Sequence, residues 1–311
     1  MPVVRPLAEA DLPQVRRVLH RAFGTFLGAA DPDNFWPDLD FVRSRAGAEN
    51  VEGFGVTENG ALVGSNFATR WGSVGFFGPL SIAPERWDGG CAQPLVAAVC
   101  DAFDRWQVSH AGLFTFPQST KHVHLYGKFG FHPRFLTAVM ARPATSGALP
   151  EAARYGELAA AERAQAEAAT YELTDAIYEG LDLRGEIRSV AARQLGDTLL
   201  LWDGSRLAGF AVCHIGAGTE AGDGALFVKF GAVRPGPGAA ERFAGLLDAA
   251  GSLAAAAGME RVTAGVNLAR EDAYRQMKGL GFRTGFQGVA MHRGNEPGYC
   301  RPDVYALDDW R

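Results

Sequence analysis

The sequence predicts an α/β (α+β) protein made of two tandem domains that share one fold, and three observations support this. The chain has 311 residues, longer than most single cores, which favours two domains of about 150 residues each. Segments typical of strands alternate with segments whose apolar residues recur at helical spacing. The order of these segments in the first half partly recurs in the second, which indicates internal duplication.

The first half begins with a strand at Val3–Pro6 and a helix after Asp11, which is a suitable capping residue. The Asn59-Gly60 pair is a strong hairpin signal between two strands. A glycine loop at Trp87-Asp88-Gly89-Gly90 follows a fourth strand and opens a helix. The remaining strands are predicted at residues 54–57, 62–71, 74–82, 111–116 and 135–140, with a helix through Leu95, Val99, Phe103 and Trp106 and another through Tyr126.

The second half repeats this order with strands at residues 198–202, 207–215, 226–233 and 262–266, an Ala/Leu-rich helix, and a helix at 273–280. Aligning Ile82-Ala83-Pro84 with Val233-Arg234-Pro235 places Gly130-Phe131 on Gly281-Phe282 without a gap. Agreement at two separate landmarks supports duplication. We therefore expect domains at residues 1–142 and 169–311, joined by a linker and helix at 143–168.

Composition excludes several classes of function. The net charge of −5 and pI of about 5.8 provide no basic field for a nucleic acid or an anionic membrane. The four cysteines form no CxxC pair, the N-terminus has no apolar signal core, and no stretch is long and apolar enough to span a bilayer. We therefore expect a cytoplasmic protein. His122 and His124 have no third ligand nearby, so we expect no metal site.

The glycine loop is a generic anion site, because the first N–H groups of a helix have no intrahelical partners. A tight turn that binds nothing is the simpler interpretation of the loop taken alone. A dinucleotide fold requires three spaced glycines and an acidic residue about 20 positions further on, at the end of the next strand. The sequence has neither, because His110 lies in that region at the start of a strand.

The run Leu80-Ser81-Ile82-Ala83-Pro84-Glu85 and the loop Trp87-Asp88-Gly89-Gly90-Cys91-Ala92 resemble the GNAT acetyltransferase pattern of a strand, Pro-Glu and a Gly/Ala loop. Leu125-Tyr126-Gly127-Lys128-Phe129-Gly130-Phe131 is similar to that family's Tyr-x-x-x-Gly-Phe segment. The resemblance covers roughly residues 3–142. Trp87 stands where the family usually has Gln or Arg, and Ser119 where it often has Asn.

The resemblance implies domains with a mixed, mostly antiparallel sheet flanked by helices, and acetyl-CoA as co-substrate. Leu80, Ser81 and Ile82 would pair with pantetheine as with an added strand. Tyr126 would protonate the departing thiolate, since a phenol with a pKa of about 10 stays protonated at neutral pH. The residues implied to hold the cofactor are Leu80, Ser81, Ile82, Trp87, Asp88, Gly89, Gly90, Cys91, Ala92, Gln93, Ser119 and His122.

The general base is less clear, because residues 74–82 contain no Asp, Glu or His. A lysine amine with a pKa of about 10.4 costs roughly 4 to 5 kcal/mol to deprotonate at pH 7. Deprotonation could pass through water and backbone carbonyls, or the acceptor could be a weakly basic amine or no amine at all. His122, His124 and Glu58 are alternative bases.

The second half lacks the residues that this chemistry needs. In the gap-free alignment Gly90 matches Glu241, Ala92 matches Phe243, and Tyr126 matches Met277, which cannot donate a proton. A gapped alignment provides Gly238-Ala239-Ala240 as a loop, but Pro235 and Pro237 then remove two backbone donors. We expect no catalysis there, and expect Trp310 to dock on a domain.

Polar residues near predicted strand ends of the second half remain open to two interpretations: scattered surface groups on a structural partner domain, or a substrate-binding wall or second acyl-CoA site. They are Cys213, His214, Glu220, Lys229, Asn267 and Arg270. The leading function is an N-acetyltransferase acting on an amine of a small molecule or peptide, with a homodimer left open. The alternative is a noncatalytic acyl-CoA-binding or protein-interaction module on the same fold.

Overall fold

The computed structural model describes residues 2–145 and 152–311. Residues 146–151 of the expected linker and helix lie outside the described part. The helices are α1 (Leu12–Phe26), α2 (Phe41–Arg45), α3 (Ala92–Trp106), α4 (Thr120–Gly127), α5 (Ala160–Asp175), α6 (Arg184–Ala192), α7 (Ala239–Ala256) and α8 (Glu271–Gly279). None of the described helices is long and apolar enough to cross a bilayer.

The strands of the described residues form one mixed sheet in the order β1-β2-β3-β4-β6-β13-β7-β12-β11-β10-β9-β8, with β5 paired to β3 and β14 to β11. Their bounds are β1 (Val3–Pro6), β2 (Val51–Glu58), β3 (Ala61–Trp71), β4 (Val74–Phe77), β5 (Ser81–Ile82), β6 (His110–Thr115), β7 (Phe131–Pro143), β8 (Ala152–Arg154), β9 (Gly196–Asp203), β10 (Arg206–Ile215), β11 (Ala225–Val233), β12 (Arg261–Asn267), β13 (Arg283–Arg293) and β14 (Ala306–Leu307).

The two halves exchange strands at the centre of the sheet. Strand β7 of the first half pairs with β12 of the second, and β13 of the second half pairs with both β6 and β7. Residues 135–140, predicted as a strand of the first half, lie within β7, and β13 of the second half lies between β7 and β6. The exchange makes one continuous sheet out of two sequence repeats.

The hairpin prediction is confirmed. Strands β2 and β3 pair antiparallel, and both turn residues, Asn59 and Gly60, have positive φ, 52° and 81°. The predicted single strand at residues 74–82 is instead divided into β4 and β5. Gly78, with φ of 143°, and Pro79, which has no N–H for a ladder, interrupt it. This break lets β5 leave the direction of β4.

Each half has its own packed helices. In the first half α3 buries Leu95, Val99 and Phe103 against β2 and β3. In the second half α7, which is Ala/Leu-rich, packs on β10, β11 and β12. The C-terminal segment after β13 returns across both halves, and its Trp310 is only 3% exposed. The expectation that Trp310 docks on a domain is confirmed.

Candidate functional site

The sheet opens where β4 ends. Strand β4 pairs in parallel with β6 as far as Phe77, whereas β5 pairs only with β3. The Ala83 N–H donates to the Val63 carbonyl, so by the alternation of an antiparallel ladder Ser81 faces β3, while Leu80 and Ile82 turn their backbone groups away from it. The gap between β5 and β6 therefore exposes a short strand edge with unused backbone groups.

Trp87 reaches back to this edge. Its indole Nε1 donates to the Ile82 carbonyl oxygen at 2.8 Å, while its ring remains 37% exposed. One of the backbone acceptors expected to pair with pantetheine is thus already occupied, and Ser81 uses its backbone on β3. The groups of the edge that remain for a ligand are those of Leu80 and the Ile82 N–H.

The loop before α3 is shaped by two residues in the left-handed region, Asp88 at φ 63° and Gly90 at φ 77°. The Gly89 N–H donates to the Arg86 carbonyl at 3.2 Å, and Gly89 is absent from the described residues that line the cavity below. Gly89 therefore supports the turn and does not face the cavity. A Cβ placed on Gly90 would meet no atom within 4 Å, so that residue faces open space.

The entrance to α3 favours an anion. The first turn of α3 contains no acidic residue, and its leading N–H groups have no intrahelical acceptor. Asp88 carries a negative charge nearby, but Lys121 forms an ion pair with it at 2.6 Å, and both side chains are exposed. The loop therefore combines free backbone donors with a neutralised carboxylate.

Helix α4 positions three predicted site residues. Ser119 caps the helix, its Oγ accepting from the His122 N–H at 3.4 Å. Burial, followed by the charge of Lys121, lowers the pKa of His122 below its usual value, so this imidazole is neutral at pH 7. Burial raises the pKa of Tyr126 well above that of a free phenol, with a hydrogen bond to Thr115 opposing the shift. Tyr126 therefore keeps its proton.

These residues line one cavity of about 940 Å³. All the residues predicted to be catalytic or to bind the cofactor contribute to it except Gly89: Leu80, Ser81, Ile82, Trp87, Asp88, Gly90, Cys91, Ala92, Gln93, Ser119, His122 and Tyr126. Of the alternative bases, His122 and His124 also line it. Glu58 does not, and it pairs with Arg86 at 3.2 Å.

Part of the cavity wall consists of residues that were not predicted from the sequence. Half-buried aromatic side chains from α1, the loop after it, β6 and β13 line the same cavity, and so do Trp310 and Arg311 from the C-terminal segment. The second half therefore contributes a wall. A signal was present for the loop, because a long connection between a predicted helix and a predicted strand often carries binding residues. The contribution of β13 depends on the strand exchange, which no local pattern reveals.

The matching edge of the second half is covered. Residues Gly231 and Ala232 of β11, which match Leu80 and Ser81, pair antiparallel with Leu307 and Ala306 of β14. The Val233 N–H, at the position of Ile82, donates to the Tyr305 carbonyl at 3.2 Å. The C-terminal segment thus occupies the track that the resemblance assigns to pantetheine in the first half.

The polar residues of the second half are not scattered on the surface, because all are buried. Glu220 accepts from Arg45 at 2.9 Å and from Lys229 at 2.6 Å, and these two cations hold the pKa of its carboxyl far below the usual range against the effect of burial. Arg270 pairs with Asp308 at 2.9 Å. Asn267 bonds Thr137 of β7, and Cys213 and His214 are fully buried in β10. Glu220 and Asn267 thus tie the halves together, and Arg270 ties the C-terminal segment to the second half.

Comparison with known proteins gives structural but not sequence matches. No family model matches the chain, and no curated protein matches its sequence. A GCN5-related N-acetyltransferase from Sphaerobacter thermophilus superposes with a TM-score of 0.60 at 17% identity, covering 96% of each chain. A tandem GNAT protein from the clavulanic acid biosynthesis pathway gives a TM-score of 0.57 at 15% identity, covering 94% of this chain and 98% of that one.

A protein of Pyrococcus horikoshii, provisionally described as an acetyltransferase, superposes with a TM-score of 0.67 at 13% identity over 99% of this chain and 95% of its own. These alignments span both halves and the exchanged strands between them. At such low identities they establish architecture only. This chain has the fold of the GNAT acetyltransferases in its tandem form.

Proposed function

We propose that the protein is an N-acetyltransferase that binds acetyl-CoA in the first half and transfers its acetyl group directly to an amine. The observation that carries the proposal is the contrast between the two strand edges. In the first half the edge at Leu80 and Ile82 opens into a cavity lined by the predicted loop and by Tyr126, whereas β14 covers the same edge in the second half.

The residues present fit acetyl-CoA. Backbone groups of Leu80 and Ile82 would bind the pantetheine arm, and the N–H groups from Gly90 to Gln93 would hold the diphosphate at the entrance to α3. Lys121 offsets the negative charge of Asp88 beside this loop, so that this carboxylate opposes the diphosphate less. Acetyl-CoA supplies an activated thioester. Tyr126 keeps a proton that it can donate to the thiolate that leaves.

The second half offers no equivalent anion site. The loop before α7 is filled by Arg242, which donates to the carbonyls of Pro237 at 2.9 Å and Arg234 at 2.8 Å. Glu241 lies in the first turn of α7, where a negative charge opposes anion binding. We therefore assign a single acetyl-CoA site to the chain.

A matched pair of glycine variants tests the proposal. Gly90 and Gly238 both lie just before a helix, both have φ of 77°, and so both carry the same backbone strain when replaced. Gly90→Glu should abolish acetyl-CoA binding and the slow hydrolysis of acetyl-CoA, because it places a carboxylate where the diphosphate is expected. Gly238→Glu should retain both.

Binding would be measured by calorimetry and hydrolysis by release of free thiol, with circular dichroism to confirm that each variant is folded. Loss of binding in Gly238→Glu with retention in Gly90→Glu would move the site to the second half. Binding that survives in both variants would exclude the loop before α3 as the diphosphate site.

A further inference from the structure

The cavity contains a second compartment that the cofactor residues do not form. We call it the aromatic chamber and define it by Phe23, Phe26, Phe35, Trp36, Phe116 and Phe286, all of which line the cavity. Their rings form a chain: Phe35 to Trp36 at 4.4 Å between centroids, Phe26 to Phe116 at 4.9 Å, and Phe116 to Phe286 at 5.7 Å. The chamber adjoins His122, whose ring lies 5.0 Å from that of Phe26.

Four of these six rings lie outside the hydrophobic core. Phe26, Phe35, Phe116 and Phe286 belong to none of the hydrophobic clusters of the described residues, and Phe286 is 38% exposed. Trp36 holds a positive φ of 54°, a conformation that bulky residues rarely adopt and that is often found at ligand sites. Their exposed faces match a planar apolar ligand, which stacks on aromatic rings.

The charges of the cavity wall disfavour a cationic ligand. Among the described residues that line it, Asp88 has the sole side-chain carboxylate, and Lys121 neutralises it at the far loop. Arg86, Lys121, Lys128 and Arg311 are the cations of the wall. A polyamine, an aminoglycoside or a lysine side chain would therefore enter a site without a counter-charge, which is costly for a desolvated ammonium.

From these observations we propose that the acceptor is a weakly basic amine on a planar aromatic body, that is, an arylamine, bound in the aromatic chamber. This inference rests on the acetyl transfer proposed above and names its substrate class. It also accounts for the missing carboxylate of β4 and β5, because an arylamine is uncharged at neutral pH and needs no base to become nucleophilic.

The reaction balances without an added base. The neutral amine nitrogen forms a bond to the thioester carbonyl carbon, and the carbon–sulfur bond breaks. The sulfur receives a proton from Tyr126, and the amine nitrogen loses one proton, which restores Tyr126 directly or through water. The products are an N-acetyl arylamine and the free thiol of CoA, and no net proton is released. An ammonium acceptor would instead have to lose one further proton to solvent.

The pH dependence separates these cases. The titratable groups that line the cavity are Asp88, Cys91, Lys121, His122, His124, Tyr126, Lys128 and the arginines Arg86 and Arg311. Burial lowers the pKa of His122 and raises those of Cys91 and Tyr126, so these three stay neutral near pH 7. An arylamine should then give a kcat/KM that is level from about pH 7 to about pH 9, whereas an alkylamine gains about tenfold per pH unit below its pKa.

The test compares p-anisidine, 2-phenylethylamine and spermidine as acceptors with the full-length protein and acetyl-CoA. We expect kcat/KM to fall in that order by at least about 10-fold at each step at pH 7, with a level pH profile for p-anisidine. A preference for spermidine, or for 2-phenylethylamine with a rising profile, would overturn the arylamine proposal while acetyl transfer itself stands. Failure to bind acetyl-CoA at all would overturn both.

Two phenylalanine variants locate the acceptor site. Phe286→Ala removes a ring of the chamber and should lower kcat/KM for p-anisidine by roughly 10- to 100-fold, mainly through KM. Phe135→Ala is the control, because Phe135 is 46% exposed on β7 and lies outside the cavity lining. The acetyl-CoA dissociation constant is measured for both as a check on folding. Equal effects of the two changes on kcat/KM would contradict the chamber.

Discussion

In the first half the strand edge at Leu80 and Ile82 lies open beside a cavity, whereas in the second half Tyr305 and β14 cover the matching edge at Gly231 to Val233. The covering segment makes the same antiparallel pairing that an extended ligand would make. In the second half the chain itself thus covers the strand edge that is open in the first half.

The side chains at matching positions of the two halves also differ, with an open site in the first half and a filled one in the second. Tyr126 lines the cavity of the first half, but Met277 at the matching position is fully buried in a hydrophobic cluster with Phe243. Phe243 occupies the position of Ala92, where the first half leaves room at the helix entrance. At these two matching positions the second half carries buried apolar side chains, which stabilise its core.

The largest expected effect is on turnover. Tyr126→Phe removes the proposed proton donor but keeps the ring, so acetyl-CoA binding should persist while kcat falls by about 10²- to 10⁴-fold. Met277→Leu, the matched change in the second half, should leave kcat within about twofold, since that side chain only packs. Steady-state kinetics of both variants measure this. A kcat for Tyr126→Phe close to that of the parent would remove Tyr126 from the mechanism.

The next effect is on stability, through the ion pair that fixes the C-terminal segment. Arg270 and Asp308 are almost fully buried and pair at 2.9 Å, and the Tyr299 hydroxyl donates to Asp308 at 2.8 Å. Asp308→Ala leaves the guanidinium buried without its counter-charge, so the free energy of unfolding should fall by about 3 to 5 kcal/mol.

The control for this change is Glu271→Ala, which removes an exposed carboxylate paired with Arg275 on α8. It should alter the free energy of unfolding by less than about 1 kcal/mol. Urea unfolding of the two variants measures the difference. Similar small losses in both would show that the ion pair does not hold the segment that covers β11.

A smaller effect is the loss of stability at acidic pH. His110 of β6 and His292 of β13 lie where the halves exchange strands, with ring centroids 4.8 Å apart. Burial lowers the pKa of His110 to about 3 and of His292 to about 4. The unfolded state therefore binds more protons below about pH 6.5, so the free energy of unfolding should fall by about 2 kcal/mol for each of these histidines between pH 7 and about pH 5.

Denaturant unfolding at the two pH values measures this fall. His292→Gln removes one of the titrating groups and should make the dependence on pH less steep by about one proton. A variant with the same slope as the parent would show that His292 does not titrate in this way, and that the junction between the halves is not the acid-sensitive point.

Much of this arrangement could be predicted from local sequence. The Asn59-Gly60 turn, the glycine loop before α3 and the Tyr-x-x-x-Gly-Phe segment depend on short-range geometry, and the gap-free alignment of the halves predicted that Glu241, Phe243 and Met277 replace the site residues. The docking of Trp310 was also predicted, because a large aromatic at an end of the described chain gains by burial.

The features that were missed are non-local. Strands β7 and β13 have local sequence patterns that fit more than one pairing partner, so their exchange cannot be read from the sequence. Because of this exchange, Phe286 of β13 reaches the cavity of the first half. The pairing of β14 depends on only two residues, Ala306 and Leu307, too few to give a periodic pattern. The division of the strand after Phe77 was also missed, although Gly78-Pro79 is a strand-breaking pair that could have predicted it.

We propose that one chain holds one acetyl-CoA, in the first half. The most direct test is the stoichiometry of acetyl-CoA binding, measured by titration calorimetry of the parent, Gly90→Glu and Gly238→Glu proteins. We expect one acetyl-CoA per chain for the parent and for Gly238→Glu, and none for Gly90→Glu. Two molecules bound per parent chain, or one retained by Gly90→Glu, would contradict it.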